Sequence, residues 1–256
     1  MSARAARLPR TLCAAALVLA ALPAAALEAR RVEQDGVDYV VADVDLARDA
    51  LELLWRRPDD GEPFGTLGEV ENWARQRGRR LAFATNAGIY APGQVPLGLF
   101  VEDGRTRVPL NTAHGAGNFF MRPNGVFAVY GRDRARVAST AAWAARPGAP
   151  RIATQSGPLL LQDGRINPRF AATSDSRHIR SGVCAPQPQR VLFVISESPV
   201  TFHAFARVFR DHLGCRDALY LDGTISQLYL AGQPYAGASR WLGRPFAGIF
   251  AVLEPR

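Results

Sequence analysis

The chain has 256 residues, 48% of them hydrophobic, and a formal net charge of +8. That length can bury a substantial core, and that apolar share excludes an intrinsically disordered chain. Every basic side chain apart from four histidines is an arginine, and the arginines are scattered, so the basicity does not mark a nucleic-acid partner.

Residues 1–10 carry Arg4, Arg7 and Arg10 and no acid. Residues 11–22 are apolar but short for a bilayer span, and Ala24-Ala25-Ala26 supplies small residues for cleavage. This layout predicts a signal peptide over 1–26 and a domain over 27–256. It implies an exported, periplasmic or secreted protein with no stable membrane anchor after cleavage. Cys13 lacks small residues before it, so no lipid anchor is expected. The other cysteines, Cys184 and Cys215, are either a disulfide of an exported protein or two buried thiols.

Downstream, 37–46 and 51–55 read as strands, and Pro58 to Gly61 as a turn. Residues 66–77 read as a helix. Leu67, Val70, Trp73 and Ala74 fall at helical spacing, Thr66 with Glu69 forms a capping box, and Gly78 is the stop. A short strand, 81–85, ends at Asn86. Three hairpins follow at 97–110, 126–138 and 158–168, two of them with Asp-Gly turns at Asp103-Gly104 and Asp163-Gly164. Residues 139–145 read as a short helix.

The apolar run 191–196 predicts a central strand. Residues 201–213 predict the strongest helix, with Phe202, Phe205, Phe209 and Leu213 on one stripe and Gly214 behind them. The strands 218–222 and 246–253 follow. Strand, helix and strand in close succession predict a βαβ-like unit. The fold class is α/β or α+β: a single domain with a mixed, partly antiparallel sheet, several hairpins and packed helices.

Polar residues with glycine recur at the strand ends. Asn86 and Gly88 follow 81–85, and either form an Asx-turn or face a ligand. Asn118 sits among Gly115, Gly117 and two phenylalanines, where the glycines frame a candidate anion nest. Gln155, Ser156 and Gly157 precede a buried strand. Ser156 lacks the G-x-S-x-G setting of a nucleophile, so Gln155 and the backbone at Gly157 are the candidate ligand binders. Arg177, His178 and Arg180 form a basic group suited to phosphate or carboxylate, or else a solvated turn. Glu197 lies beyond the strand 191–196, as a general acid or base or as a charge at the helix start. Asp222 ends the strand 218–222. If those two strands are parallel neighbours, Glu197 and Asp222 share one sheet edge, where ligands of α/β proteins gather and where paired carboxylates cleave glycosidic bonds.

The blocks NAG (86–88), GLFVEDG (98–104), GNFFMRPNGVF (117–127), ATQSGPLLLQDG (153–164), RSGV (180–183), FARVFRDHLGC (205–215) and YLDGTIS (220–226) occur in this order. The series resembles the phosphodiester glycosidase domain family, and is most similar to its compact bacterial exported branch. The resemblance implies a mixed α/β fold and a hydrolase that releases a sugar from a sugar-1-phosphodiester at the anomeric carbon. Asn86 and Gly88 match its Asn-Gly-Gly motif. Asp222, Gly223 and Ser226 match its Asp-Gly-Gly-Gly-Ser motif, with Thr224 and Ile225 in place of two glycines. Gln155 and Gly157-Pro158 match its Q-x-G-P block, and Arg180 its arginine.

Asp222 is thus the expected nucleophile or base, with Glu197 second. Arg180 is expected to bind phosphate, and Asn86, Gln155, Gly157, Gly223 and Ser226 to contact or orient substrate. The expected partner is a carbohydrate phosphodiester or envelope glycan. No cofactor is required, and a lone calcium ion held by carboxylates and backbone oxygens stays open. The alternative function is a non-catalytic module that binds a glycan or cell-envelope polymer.

Overall fold

The computed structural model describes residues 27–237 and 244–255. The leader expected over 1–26 lies outside them. Among the described residues, alternating apolar and polar side chains form three larger antiparallel sheets, and Tyr90–Ala91 and Val95–Pro96 pair as a small fourth. The largest has seven strands in the order Glu28–Gln34, Val37–Asp45, Arg190–Ser196, Ser181–Gln187, Ala218–Asp222, Leu159–Gln162 and Arg165–Ile166. A second has the order Arg134–Ser139, Gly125–Tyr130, Ile152–Ser156, Phe100–Glu102 and Arg105–Val108. A third runs Ala236–Gly237, Gln227–Leu230, Arg79–Asn86, Ile249–Pro255 and Leu51–Leu54.

The expected hairpins form. Asp103 and Gly104 take φ of 48° and 72°, and Asp163 and Gly164 take 52° and 78°, which is the pair of left-handed residues a tight two-residue hairpin turn requires. Asp35-Gly36 does the same and joins Val37–Asp45 to Glu28–Gln34. That first strand escaped the sequence reading because Val32 is its one large apolar residue. An edge strand with a solvated face needs no more.

The strand–helix–strand unit is correct in direction but not in neighbourhood. Arg190–Ser196 and Ala218–Asp222 run parallel, yet each pairs antiparallel with Ser181–Gln187, which lies between them. The helix between them is α-helical over Phe202–Arg207 and continues as a π turn over Val208–His212. Phe205, Phe209 and Leu213 are buried on one stripe, and Gly214 at φ 65° ends it. The helix Leu67–Gln76 has the expected cap, with the Thr66 hydroxyl accepting from the Glu69 amide. Cys184 and Cys215 form a buried disulfide that ties Ser181–Gln187 to the segment after Val208–His212.

The three sheets meet at four phenylalanines. Phe193 comes from the seven-stranded sheet, Phe127 from the second sheet, and Phe83 and Phe250 from the third. Ring centroids lie 5.0 Å apart for Phe83–Phe193 and Phe193–Phe250, 5.5 Å for Phe127–Phe250 and 6.1 Å for Phe127–Phe193. All four rings are essentially inaccessible to water. Full burial of each contributes about 2–3 kcal/mol, and favourable ring pairs add to it. Phe193→Ala should therefore lower stability by about 3–5 kcal/mol in denaturant unfolding. A loss below about 1 kcal/mol would show that this cluster does not hold the sheets together.

Candidate active site

The topology brings several polar strand ends to one end of the molecule. Asn86, Ser156, Ser196 and Asp222 are each the last residue of a strand, and Ser181 is the first of its own antiparallel strand. Ser181 stands in register with Ile195 on one side and Asp222 on the other. Apolar residues drive each strand into the core, and the polar residue appears where the strand leaves it.

These groups form a buried floor under Asp222. Asn86 Nδ2 donates to Ser181 Oγ and Ser226 Oγ at 3.3 Å each, and the two hydroxyls lie 2.8 Å apart. Asn86 Oδ1 accepts from the Gln227 amide at 3.3 Å. Ser181 Oγ donates to the Asp222 carbonyl at 3.4 Å, and Ser156 Oγ donates to the Leu221 carbonyl at 2.9 Å. A network satisfied in this way fixes the backbone that carries Asp222.

The Asp222 carboxylate is half-buried and closely walled by protein. It accepts one bond, from the Gly223 amide at 2.7 Å, and no described cation pairs with it. Burial pushes its pKa up to about 6, against the lowering effect of that single amide. Tyr90 and Tyr220 feel its charge: burial first and Asp222 second raise both phenols above their ordinary value. Tyr90 Oη donates to the Pro245 carbonyl at 2.6 Å.

Arg180 is 1% exposed. Its Nε donates to the Val200 carbonyl at 2.8 Å and its Nη2 to the Ser176 carbonyl at 3.1 Å, while Nη1 has no hydrogen-bond partner. No described carboxylate neutralises it. The guanidinium lies 3.6 Å from the Phe202 ring centre, and Phe202 stacks in turn on Phe170. This cation–π contact, strengthened by desolvation, takes the place of a counter-ion. The Tyr220 ring centre lies 5.7 Å from the Arg180 guanidinium. Its phenol feels both charges, Asp222 raising its pKa and Arg180 lowering it.

Among the expected site residues, Asn86, Arg180, Asp222, Gly223 and Ser226 come together. Gly223 has no positive φ, so its glycine serves a close approach: a Cβ there would lie 2.6 Å from Tyr220 Oη. Thr224 and Ile225 also avoid positive φ. Thr224 Oγ1 lies 3.2 Å from His178 Nδ1, and Ile225 packs on the core beside the helix Leu67–Gln76. Gly157 is pressed against the loop that carries Asn118, where a Cβ would meet Asn124 Cβ at 2.6 Å and the Phe119 carbonyl at 2.7 Å.

Gln155 is engaged elsewhere. Its Oε1 accepts from the amides of Leu99 and Asn111, and its Nε2 donates to the Asn111 carbonyl and Thr140 Oγ1. It anchors the loop 97–111. Glu197 is not Asp222's partner. It pairs with Arg31 of the edge strand. Two steps across the sheet separate its strand from that of Asp222 by roughly 10 Å. Alternation also sets it on the face of Ile195, opposite the face of Tyr220 and Asp222.

Tyr220 and Tyr90 lay outside the expected site. The signal for Tyr220 was present: it precedes Asp222 by two residues, hence shares its face. Among the described residues, no group of three or more His, Cys, Asp or Glu side chains is placed to hold a metal.

The raised pKa has a consequence for stability. Unfolded, the carboxyl titrates near its ordinary 3.8, and folded near 6. The native state binds the extra proton between these values, so stability falls as pH rises from 3.8 to about 6 and stays reduced above. Asp222→Asn should raise stability at pH 7 by about 1–2 kcal/mol, with the gain vanishing below pH 4. Equal or lower stability of the variant at pH 7 in denaturant unfolding would show that this ionised carboxylate is not penalised by its surroundings.

Comparison with known proteins places this geometry. A family model described as phosphodiester glycosidase matches residues 79–253, which spans Asn86 through Ser226. The chain is 37% identical over 202 residues to the uncharacterized protein YigE of Escherichia coli (strain K12), covering 79% of this chain and 76% of that protein. The fold is similar to that of the zebrafish N-acetylglucosamine-1-phosphodiester alpha-N-acetylglucosaminidase catalytic domain auto-inhibited by its pro-peptide. That match has a TM-score of 0.60 at 16% identity, over 88% of this chain and 81% of that one. A hypothetical protein from Synechocystis matches with a TM-score of 0.57 at 16% identity, over 88% of this chain and 61% of that one. The family match covers more than half of the chain, and with the YigE identity it settles membership: the chain belongs to the phosphodiester glycosidase family.

Proposed function

We propose that this protein hydrolyses a sugar-1-phosphodiester at the anomeric carbon, with Asp222 as the reacting carboxylate. The observation that carries the reading is the Asp222 carboxylate itself: walled by protein, paired with no described cation, and held on a floor of hydrogen bonds beside a buried arginine. A carboxylate raised by burial is a stronger base than one in water, yet is mostly ionised at pH 7. In the reaction the bond from C1 to the phosphate oxygen breaks and the oxygen of water ends on C1. The products are the free sugar and a phosphomonoester.

A phosphate leaves readily, so the reaction does not need a second carboxylate as proton donor. This fits the diversion of Glu197 to Arg31. Arg180 supplies fixed positive potential near Tyr220, which favours an anionic diester at this end of the fold. Asn86, Ser226 and Gly223 hold the loop after Asp222, and Gln155 and Gly157 hold the loop that carries Asn118. No metal is required, and turnover should survive EDTA. We place the protein in an exported location, supported by the leader pattern and by the Cys184–Cys215 disulfide, which persists in oxidising compartments. No described helix is long and apolar enough to cross a membrane.

The test uses aryl-phosphate diesters of N-acetylglucosamine and other sugars in ¹⁸O water. Label should enter the sugar; label in the phosphate would overturn attack at carbon. Asp222→Asn should lower kcat by about 10²–10⁴-fold with the fold retained. The wild-type rate should rise with pH through about 6 as Asp222 ionises. A rate that instead falls through that pH would assign Asp222 as an acid. No turnover of any diester, together with glycan binding, would favour a non-catalytic module.

A further inference from the structure

The basic segment 177–180 places a buried arginine and an exposed histidine at the Asp222 end of the fold. Main-chain bonds fix the backbone of the histidine. The His178 amide donates to the Val200 carbonyl at 3.1 Å, and the Val200 amide donates to the His178 carbonyl at 2.8 Å. Arg180 Nε donates to the same Val200 carbonyl. A Cβ on Gly223 would lie 3.6 Å from the Ile179 carbonyl, so the segment lies directly against the turn after Asp222.

The imidazole is held as well. His178 Nδ1 lies 3.2 Å from Thr224 Oγ1, and both residues are exposed. Thr224 is two residues past Asp222, within about 7 Å of it along the chain. With the hydroxyl donating to Nδ1, the neutral ring carries its proton on Nε2, which then serves as a donor. Nε2 has no described partner. A ring anchored through its backbone and through one nitrogen has already given up rotamer freedom, which lowers the ordering cost of a new contact. The pair belongs to the altered loop of this chain, because a glycine at position 224 would have no hydroxyl to hold the ring.

Charge and position select the ligand chemistry. Residues 171–180 carry Arg177 and Arg180 against one acid, Asp175. Arg180 is buried and paired with no described carboxylate. The positive potential on this side of Asp222 favours an anion, and neutral sugar hydroxyls gain little from it. In displacement at the anomeric carbon, the reacting carboxylate or its water approaches the face opposite the leaving group. The phosphate therefore stands off from Asp222, and a donor two residues away on the cationic side meets that requirement. We propose that His178, oriented by Thr224, donates from Nε2 to a non-bridging oxygen of the substrate phosphate, and so selects a phosphodiester over a simple glycoside. This rests on the reading of Asp222 as the reacting carboxylate. His178 is the phosphate contact, and Thr224 is a positioning residue.

The test separates binding from turnover. Phenyl phosphate and, separately, N-acetylglucosamine are titrated into the Asp222→Asn protein while its four histidine rings are followed by NMR. The His178 resonance is assigned by its loss in His178→Ala. Phenyl phosphate should shift it, and the sugar should not. In turnover, His178→Ala should lower kcat/KM for an aryl diester about tenfold and weaken inhibition by phenyl phosphate by a similar factor, with inhibition by N-acetylglucosamine unchanged. His178→Gln, which keeps a donor, should recover part of the loss, and Thr224→Ala should fall between wild type and His178→Ala. A His178 resonance unmoved by phenyl phosphate would overturn the contact. So would an unchanged kcat/KM in His178→Ala, or a loss of sugar inhibition equal to that of phenyl phosphate. A shifted His178 resonance with no diester turnover by wild type would uphold the phosphate contact and overturn the hydrolase reading instead.

Discussion

Four phenylalanine rings from three sheets meet in one dry cluster, and the site exists because they do. Phe193 holds the central strand of the seven-stranded sheet, Phe127 the second sheet, and Phe83 and Phe250 the third. With the three sheets locked at that point, the ends of Arg79–Asn86, Ile152–Ser156 and Ala218–Asp222 have little freedom in where they emerge. Their last residues therefore meet at one polar floor, in which Asn86 and Ser226 bond across 140 residues of chain. Hydrophobic burial drives this assembly without direction; the hydrogen bonds among Asn86, Ser181 and Ser226 then select one arrangement.

Two costly electrostatic features sit on that floor. Asp222 is ionisable, enclosed and paired with no described cation. Arg180 is a buried cation paired with no described carboxylate. Direct pairing of the two would relieve both, and the described structure does not form it; Tyr220 feels the charges of both. The arginine is tolerated because Phe202 covers its face and two carbonyls accept its protons. Asp222 has only the Gly223 amide. A fold that keeps these charges apart gives up stability at this end, which is common where a site has chemistry to perform.

The altered loop after Asp222 shows how local sequence and packing trade off. The family's glycines at two positions are Thr224 and Ile225 here. Neither needs a left-handed backbone, because the turn closes through the Ser226 amide donating to the Gly223 carbonyl at 2.8 Å. Thr224 gains His178 as a neighbour, and Ile225 gains the core beside the helix Leu67–Gln76. The loop is thus anchored from both sides.

The sequence by itself determined the hairpins, both main helices, most strands, and the rule that polar residues sit where strands end. These depend on alternation, helical spacing and Asp-Gly turns, which are interactions between near neighbours. It also marked Asp222, through an apolar run that stops at an acid. Only the tertiary structure decided which strand ends share a floor, since that depends on pairing across the chain. It inserted Ser181–Gln187 between two strands that the sequence alone presented as neighbours, and so moved Glu197 away from Asp222 and into a pair with Arg31. It turned Gln155 inward, because the loop 97–111 supplied three partners for its amide and Thr140 a fourth. It joined Cys184 to Cys215, and it set Tyr220 under the charges of both Arg180 and Asp222. Each of these is a contact between segments far apart in sequence, and no local pattern encodes the partner.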